Sequence, residues 1–296
     1  MPEIKEIIWD ADNTIWNWVR YAAKAYPAMA EEIARQTEKP VEAVEQGMKT
    51  YYTRTGTIES PWLIQDLQRQ GFFEGLGWDQ NRIDQLRDEV HAVFKSTRTK
   101  HFRMYRGIGN IIKATRAHNI INHIVTDAPA PQARLRLKRS KLHKYITDVY
   151  ALKFHDKHNE APDHIKAKEA AGEYNVPFNV YELDAEKPDT RIENIIHAME
   201  KTHGNLSHYI RDHVAIIGDN PKKDMELARK YGCLGIQADW GKPTPEELAI
   251  LARFAPEKVI RKNTSVWTPD QEESSNIVSI ETHIQERVLA ELQLAA

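Results

Sequence analysis

The sequence predicts an α/β protein: a doubly wound parallel sheet of Rossmann-like type, accompanied by a mostly α-helical cap domain. From Arg106 onward, short β-branched runs alternate with amphipathic segments, the rhythm of a parallel sheet covered on both faces. A helix-patterned block, Trp18 to Ser96, follows the first strand directly and reads as an insertion. Acidic and hydroxyl residues recur at the carboxyl ends of the strands, where open parallel sheets bind their ligands.

The run Ile4 to Trp9 is short, apolar and followed by acidic residues, as in a strand buried on both faces. In the block after it, Ser60 and Pro61 supply an N-cap and a first-turn proline for a helix over PWLIQDLQRQ. Ile83, Leu86, Val90, Val93 and Phe94 then recur at helical spacing. Pro27 and Gly56 are expected to punctuate the block into several helices. Past Arg106, Ile108, Ile111 and Ile112 stripe a helix, and Ile120 to Val125 forms a strand ending at Thr126 and Asp127. A basic helix over Pro131 to Leu142 leads to a strand at Asp148 to Leu152. Phe154 to Ala185 shows no clear strand pattern, and Thr190 to Met199 reads as a helix. A strand at Val214 to Ile217, a helix from Asp224 stopped by Gly232, and a strand at Leu234 to Gln237 follow. A strand-like piece at Ile277 to Ile280 precedes a C-terminal amphipathic helix. The expected division is a core of residues 1–16 and 104–296, with a possible small insertion at 154–185, and a cap of residues 17–103.

Composition narrows the function classes. The chain has 296 residues, with 41 Lys plus Arg against 43 Asp plus Glu, so no bulk electrostatic footprint for nucleic acid or an anionic membrane is expected. One cysteine, Cys233, excludes an intrachain disulfide and any multi-cysteine metal site. No window approaches the roughly 18 apolar residues of a membrane helix, and no signal-like segment opens the sequence, so a cytoplasmic protein is the expectation.

Asp10 and Asp12 follow the first strand, Thr126 the second, and Asp219 and Asp224 follow Val214 to Ile217. Carboxylates at two neighbouring strand ends make an oxygen-rich site suited to a hard divalent cation such as magnesium. Taken alone, Asp10 and Asp12 are equally compatible with turn formation, and Gly218-Asp219-Asn220 with a tight turn. A helix–loop–helix calcium loop beginning at Asp10 is excluded, because its sixth and twelfth positions are Ile15 and Tyr21 instead of Gly and Glu.

Together these segments resemble the haloacid dehalogenase-like superfamily over most of the chain. The first motif, an apolar strand then Asp-x-Asp-x-Thr, is matched by Ile7-Ile8-Trp9-Asp10-Ala11-Asp12-Asn13-Thr14. The second, an apolar strand ending in Ser or Thr, is similar to Ile124-Val125-Thr126, and the third, a lysine often followed by proline, to Lys187-Pro188. The fourth is matched by Gly218-Asp219-Asn220-Pro221-Lys222-Lys223-Asp224.

The resemblance implies a magnesium-dependent phosphatase acting on a small phosphomonoester through an aspartyl-phosphate on Asp10, with Asp12 as acid and base. The second Asp separates the family's phosphatases from its dehalogenases. Magnesium would be held by the carboxylates of Asp10 and Asp219 and the main-chain carbonyl of Asp12, with Asp224 a further ligand or an orienting group. Thr126 would donate to a phosphate oxygen, Asp127 would lie at the substrate, and Lys187 would set a positive charge beside nucleophile and phosphate. Lys153, Lys157, Lys166 and Lys168 are rivals for the third motif. A phosphotransferase or phosphomutase using the same residues is the alternative, and a non-catalytic binding protein on this fold a more distant one.

The weaker signals have bland readings beside them. Trp16, Asn17 and Trp18 either line the entrance to the site or pack at a hinge. Arg103 and Arg106 are read as solvated, as are His155, His158 and the basic face of Arg134 to Lys144. Oligomeric state is not legible.

Overall fold

A computed structural model describes residues 3–56, 58, 63–152, 167, 170–172, 179–183, 185–196, 205–264, 277–280 and 283–294. The chain divides into two compact units: Met1–Trp16 with Met104–Lys242 and Ser265–Ala296, and Asn17–Arg103 with Pro243–Thr264.

The first unit holds seven strands: β1 (Glu6–Trp9), β2 (Ile121–Pro129), β3 (Asp148–Leu152), β4 (Asn179–Leu183), β5 (Val214–Gly218), β6 (Leu234–Ala238) and β7 (Ile277–Ile280). They form one parallel sheet in the order β4-β3-β2-β1-β5-β6-β7, an α/β Rossmann-like architecture. β1 is central, and Ile7, Ile8 and Trp9 are each 0% exposed, which is why its sequence is a continuous apolar run without alternation. Trp9 aligns with Ile124 of β2 on one side and with Ile217 of β5 on the other. Strand order reverses between β1 and β5, so their carboxyl ends flank the crevice where such sheets bind ligands.

Several elements differ from the sequence-based expectation. Asn179–Leu183 forms an edge strand inside the stretch expected to lack one. Its residues are exposed or half-buried, and an edge strand with little to bury carries no apolar alternation to read. Within the expected helix Thr190 to Met199, the described residues make only a 3₁₀ turn at Ile192–Asn194, although Ile192, Ile195 and Ile196 are buried as their spacing implies; residues 197–199 lie outside the described residues. The helix expected from Asp224 begins at Glu226, after a π-type turn over Pro221–Met225. Leu206–His213 is a helix that the pattern did not reveal.

The second unit is helical: Trp18–Thr37, Val41–Thr55, Leu63–Arg69, Gln80–His101, Pro245–Phe254 and Glu257–Asn263. Pro27 lies inside the first of these without ending it. The buried stripe Ala22, Ala25, Tyr26, Met29, Ala30 and Ile33 runs straight past it, and that packing outweighs the roughly 3 kcal/mol an interior proline costs. Gly56 does end a helix, at φ +67° with its N–H on Tyr52 O. The proposed N-cap at Ser60-Pro61 lies outside the described residues.

Residues 243–264 were expected with the sheet and belong instead with the helices. Leu251, Phe254, Val259 and Ile260 join the apolar cluster of Tyr26, Met48, Tyr51 and Tyr52, and the Tyr26 and Phe254 rings meet edge-on at 6.0 Å. A complete capping box, Thr244 with Glu247, starts this returning helix. Asn17 clips the ends of the larger segment, its N–H donating to Arg103 O at 3.0 Å while its Oδ1 accepts from Arg103 N–H at 2.6 Å. Among the described residues, no helix is long and apolar enough to cross a membrane.

Candidate active site

Asp10 follows β1 immediately, and its N–H donates to Ile217 O at 2.8 Å, which ties the first motif to β5. The loop beyond it is closed by Ile15 N–H and Trp16 N–H on Ala11 O, at 2.9 and 3.1 Å. Asn13 takes φ 61°, the left-handed region that Asn tolerates better than most residues. The turn after β6 braces this loop. Trp240 Nε1 donates to Thr14 O at 3.0 Å, and a Cβ on Gly241 would stand 1.7 Å from Asn13 O, so only glycine fits.

The fourth motif builds the other wall. Asn220 Oδ1 accepts from Lys222 N–H at 3.0 Å and its own N–H donates to Asp224 Oδ2 at 3.0 Å, folding the Asp224 carboxylate back over Gly218. A Cβ at residue 218 would lie 2.2 Å from Asp224 Cγ, which explains the glycine. Lys187 completes the cluster, with Nζ 2.5 Å from Asp10 Oδ1 and 2.5 Å from Asp224 Oδ1. Asp10, Asp219 and Asp224 each offer a carboxylate oxygen, all within 4.8 Å of one another.

The electrostatics follow from this geometry. All four side chains are buried, Lys187 and Asp219 at 4% exposure and Asp224 at 1%. Burial pushes the Asp10 carboxyl up despite the opposing Lys187 ammonium, and pushes Asp224 up to about 6. Burial alone would lower Lys187, but Asp10, Asp224 and Asp127 outweigh it and hold the ammonium well above the usual lysine range. Three buried carboxylates thus face one buried ammonium. An all-oxygen cluster with excess negative charge fits a hard divalent cation of the magnesium type.

The remaining sequence candidates sit as follows. Thr126 is buried at 1% exposure, and its Oγ1 accepts from Ala128 N–H at 3.1 Å, leaving the hydroxyl proton to be donated. Asp12 is turned to Arg136 Nη1, with which it forms a short ion pair. Asp127 gives one oxygen to Lys187 N–H at 3.2 Å and the other to Lys223 Nζ at 2.6 Å. Trp16, Asn17 and Trp18 are buried at 3%, 7% and 6% exposure, and Arg103 and Arg106 are exposed. Lys153, Lys157, Lys166, Lys168, His155 and His158 lie outside the described residues.

Two residues at the site were missed by sequence reasoning. Arg136 was taken with a solvated basic face, yet it is only 8% exposed. Its flanks Leu135 and Leu137 signal that this helix buries part of its surface. Lys223 stands inside the fourth motif and was given no role.

Residues 187–264, which include Lys187, Asp219 and Asp224, match the family model described as HAD-hydrolase-like. Over that stretch the chain is similar to the haloacid dehalogenase-like hydrolases. Among solved structures, a 2-haloacid dehalogenase from Pseudomonas syringae pv. Tomato is 18% identical, with 85% of this chain and 100% of that chain covered at a TM-score of 0.47. A haloacid dehalogenase-like family hydrolase from Xanthomonas campestris is 11% identical over 99% and 97% of the two chains at 0.48. A HAD phosphatase from Thermococcus onnurineus is 14% identical over 99% of both at 0.45. At such identity and score these likenesses say nothing of the reaction. No curated protein matches.

Proposed function

We propose that this HAD-like chain is a magnesium-dependent phosphatase that hydrolyses a small phosphomonoester through an aspartyl-phosphate formed on Asp10. The observation that carries the reading is the Asp10–Lys187–Asp224 contact beside Asp219. A nucleophilic carboxylate lies at the switch point of the sheet, flanked by one cation and by further oxygen ligands.

Asp10, Asp219 and Asp224 would hold magnesium with the main-chain carbonyl of Asp12, and the ion would supply charge neutralisation between an anionic nucleophile and an anionic phosphate. The chain's own residues supply the rest. An Asp10 carboxylate oxygen attacks phosphorus and the ester P–O bond breaks, the leaving oxygen taking a proton from Asp12. Water then attacks the phosphorus and gives its proton to Asp12. The Asp10–phosphorus bond breaks, inorganic phosphate leaves, and the Asp10 carboxylate is restored. In the resting arrangement Asp12 Oδ2 is paired with Arg136 Nη1. Thr126 donates its hydroxyl to a phosphate oxygen, and the Lys187 ammonium steadies charge on the transferring group.

The test is release of inorganic phosphate from a panel of phosphorylated metabolites and from an aryl phosphate, with and without magnesium. Magnesium-dependent release that Asp10→Asn abolishes is the expected result. Turnover unchanged in Asp10→Asn would overturn it, and release seen only when a second phosphoryl acceptor is present would move the reading to phosphotransfer.

A further inference from the structure

We infer that Asp127 and Lys223 form a latch that fixes the Lys187 turn, which makes Asp127 a positioning residue and not a substrate contact. The latch deepens the phosphatase reading, since it rests on Lys187 as the site's cation.

A carboxylate next to a phosphate-binding threonine is an electrostatic problem, because it would repel the substrate. The geometry removes that problem. Both Asp127 oxygens are engaged, Oδ1 by the main-chain N–H of Lys187 at 3.2 Å and Oδ2 by Lys223 Nζ at 2.6 Å. Lys223 Nζ also reaches Glu186 Oε2 at 3.5 Å, so it grips the residue preceding Lys187 as well. The side chains of Lys223 and Asp127 are only 14% and 19% exposed, sheltered enough for the pair to hold its geometry. Burial alone would raise Asp127, yet the ammonium groups of Lys187 and Lys223 hold its carboxyl below the usual range; Asp127 and Glu186 likewise keep Lys223 raised against its own burial.

The contacts close a ring. Asp127 pairs with Lys223, Lys223 precedes Asp224 in the chain, Asp224 Oδ1 holds Lys187 Nζ, and Lys187 N–H returns to Asp127. Three separate segments meet there: the end of β2, the Lys187 turn and the π-type turn of Pro221–Met225. Lysine is a flexible four-carbon stem carrying a point charge. Placing its Nζ between two carboxylates therefore requires its main chain to be held, and the latch holds it at the N–H and, through Glu186, one residue earlier.

The test uses the full chain carrying Asp127→Ala, Asp127→Asn, Lys223→Met and the double variant Asp127→Ala/Lys223→Met. The first readout is amide exchange of Lys187 followed by NMR. Asp127→Ala should speed it about tenfold, the factor a hydrogen bond of ordinary net strength supplies, and Asp127→Asn, which keeps an acceptor oxygen, should restore most of the protection. The second readout is the kinetics of phosphate release. Asp127→Ala should lower kcat by up to about 100-fold, the cost of misplacing a catalytic group by an ångström, with KM little changed. The double variant should lose less than the two single variants added together, because the Asp127–Lys223 contact is common to both. Unchanged Lys187 exchange in Asp127→Ala, or a raised KM with kcat intact, would overturn the latch. If the wild type releases no phosphate while Asp127→Ala still frees the Lys187 amide, the phosphatase reading falls and the latch stands.

Discussion

Lys187 Nζ lies 2.5 Å from Asp10 Oδ1, although the two residues are 177 positions apart. The sheet makes this possible: β1 delivers Asp10 to the switch point, and the segment after β4 brings Lys187 back to it. Removing one partner of a buried ion pair costs about 3–5 kcal/mol when the remaining charge stays uncompensated. Lys187→Met should therefore abolish turnover and lower the melting temperature of the metal-free protein. Magnesium should then raise the melting temperature of the variant more than that of the wild type, because it meets carboxylates no longer offset by an ammonium. Thermal denaturation with and without magnesium checks this, and a harmless Lys187→Met would require another third-motif lysine.

The raised carboxyl of Asp224 would give the proposed metal binding a pH dependence. Its value in the folded protein is about 6 against an ordinary 3.8, so between those pH values the folded state retains a proton that the unfolded chain has released. The metal-free protein accordingly loses stability as pH rises through that window. A divalent cation takes only the deprotonated oxygen, so its stabilising effect grows in the same direction. The magnesium-induced shift in melting temperature should be small at pH 5 and large at pH 7.5. An equal shift at both would exclude Asp224 from the ion's surroundings.

Arg136 forms an ion pair with Asp12, the proton carrier of the proposed chemistry. Asp12→Asn removes the proton carrier and should slow turnover by about 10²- to 10⁴-fold. Arg136→Met leaves the carrier but not its holder, so its loss should be smaller. If Arg136 serves to hold Asp12, the double variant should match Asp12→Asn. Additive losses would mean that Arg136 touches substrate on its own account.

These contacts separate what the chain discloses from what it hides. Asp10, Asp219 and Asp224 were legible because strand ends carry their chemistry in short, ordered motifs, and the strands β1, β5 and β6 because burial on both faces leaves continuous apolar runs. β4 was not legible, since an exposed edge needs no pattern. Nor were the partners of Asp12 and Asp127. Arg136 and Lys223 are ordinary basic residues in basic surroundings, and only the fold distinguishes a buried cation from a solvated one. The return of residues 243–264 to the helical unit was hidden for a related reason. An apolar stripe says that a helix packs, not against which core.

That return can be tested directly. Phe254 is fully buried, stacks edge-on against Tyr26 and sits in one apolar cluster with Tyr51, Tyr52 and Met48. Truncating such a side chain leaves a cavity that costs about 3–5 kcal/mol. Phe254→Ala should therefore destabilise the unit formed by Asn17–Arg103 and Pro243–Thr264, while the sheet unit, whose core contains no part of this cluster, keeps its own stability. Hydrogen exchange resolves the two. Protection should fall across Trp18–Thr37 and Val41–Thr55 and persist in β1 and β5. Equal loss in both would show that 243–264 is integral to the sheet unit, as its position in the chain first suggested.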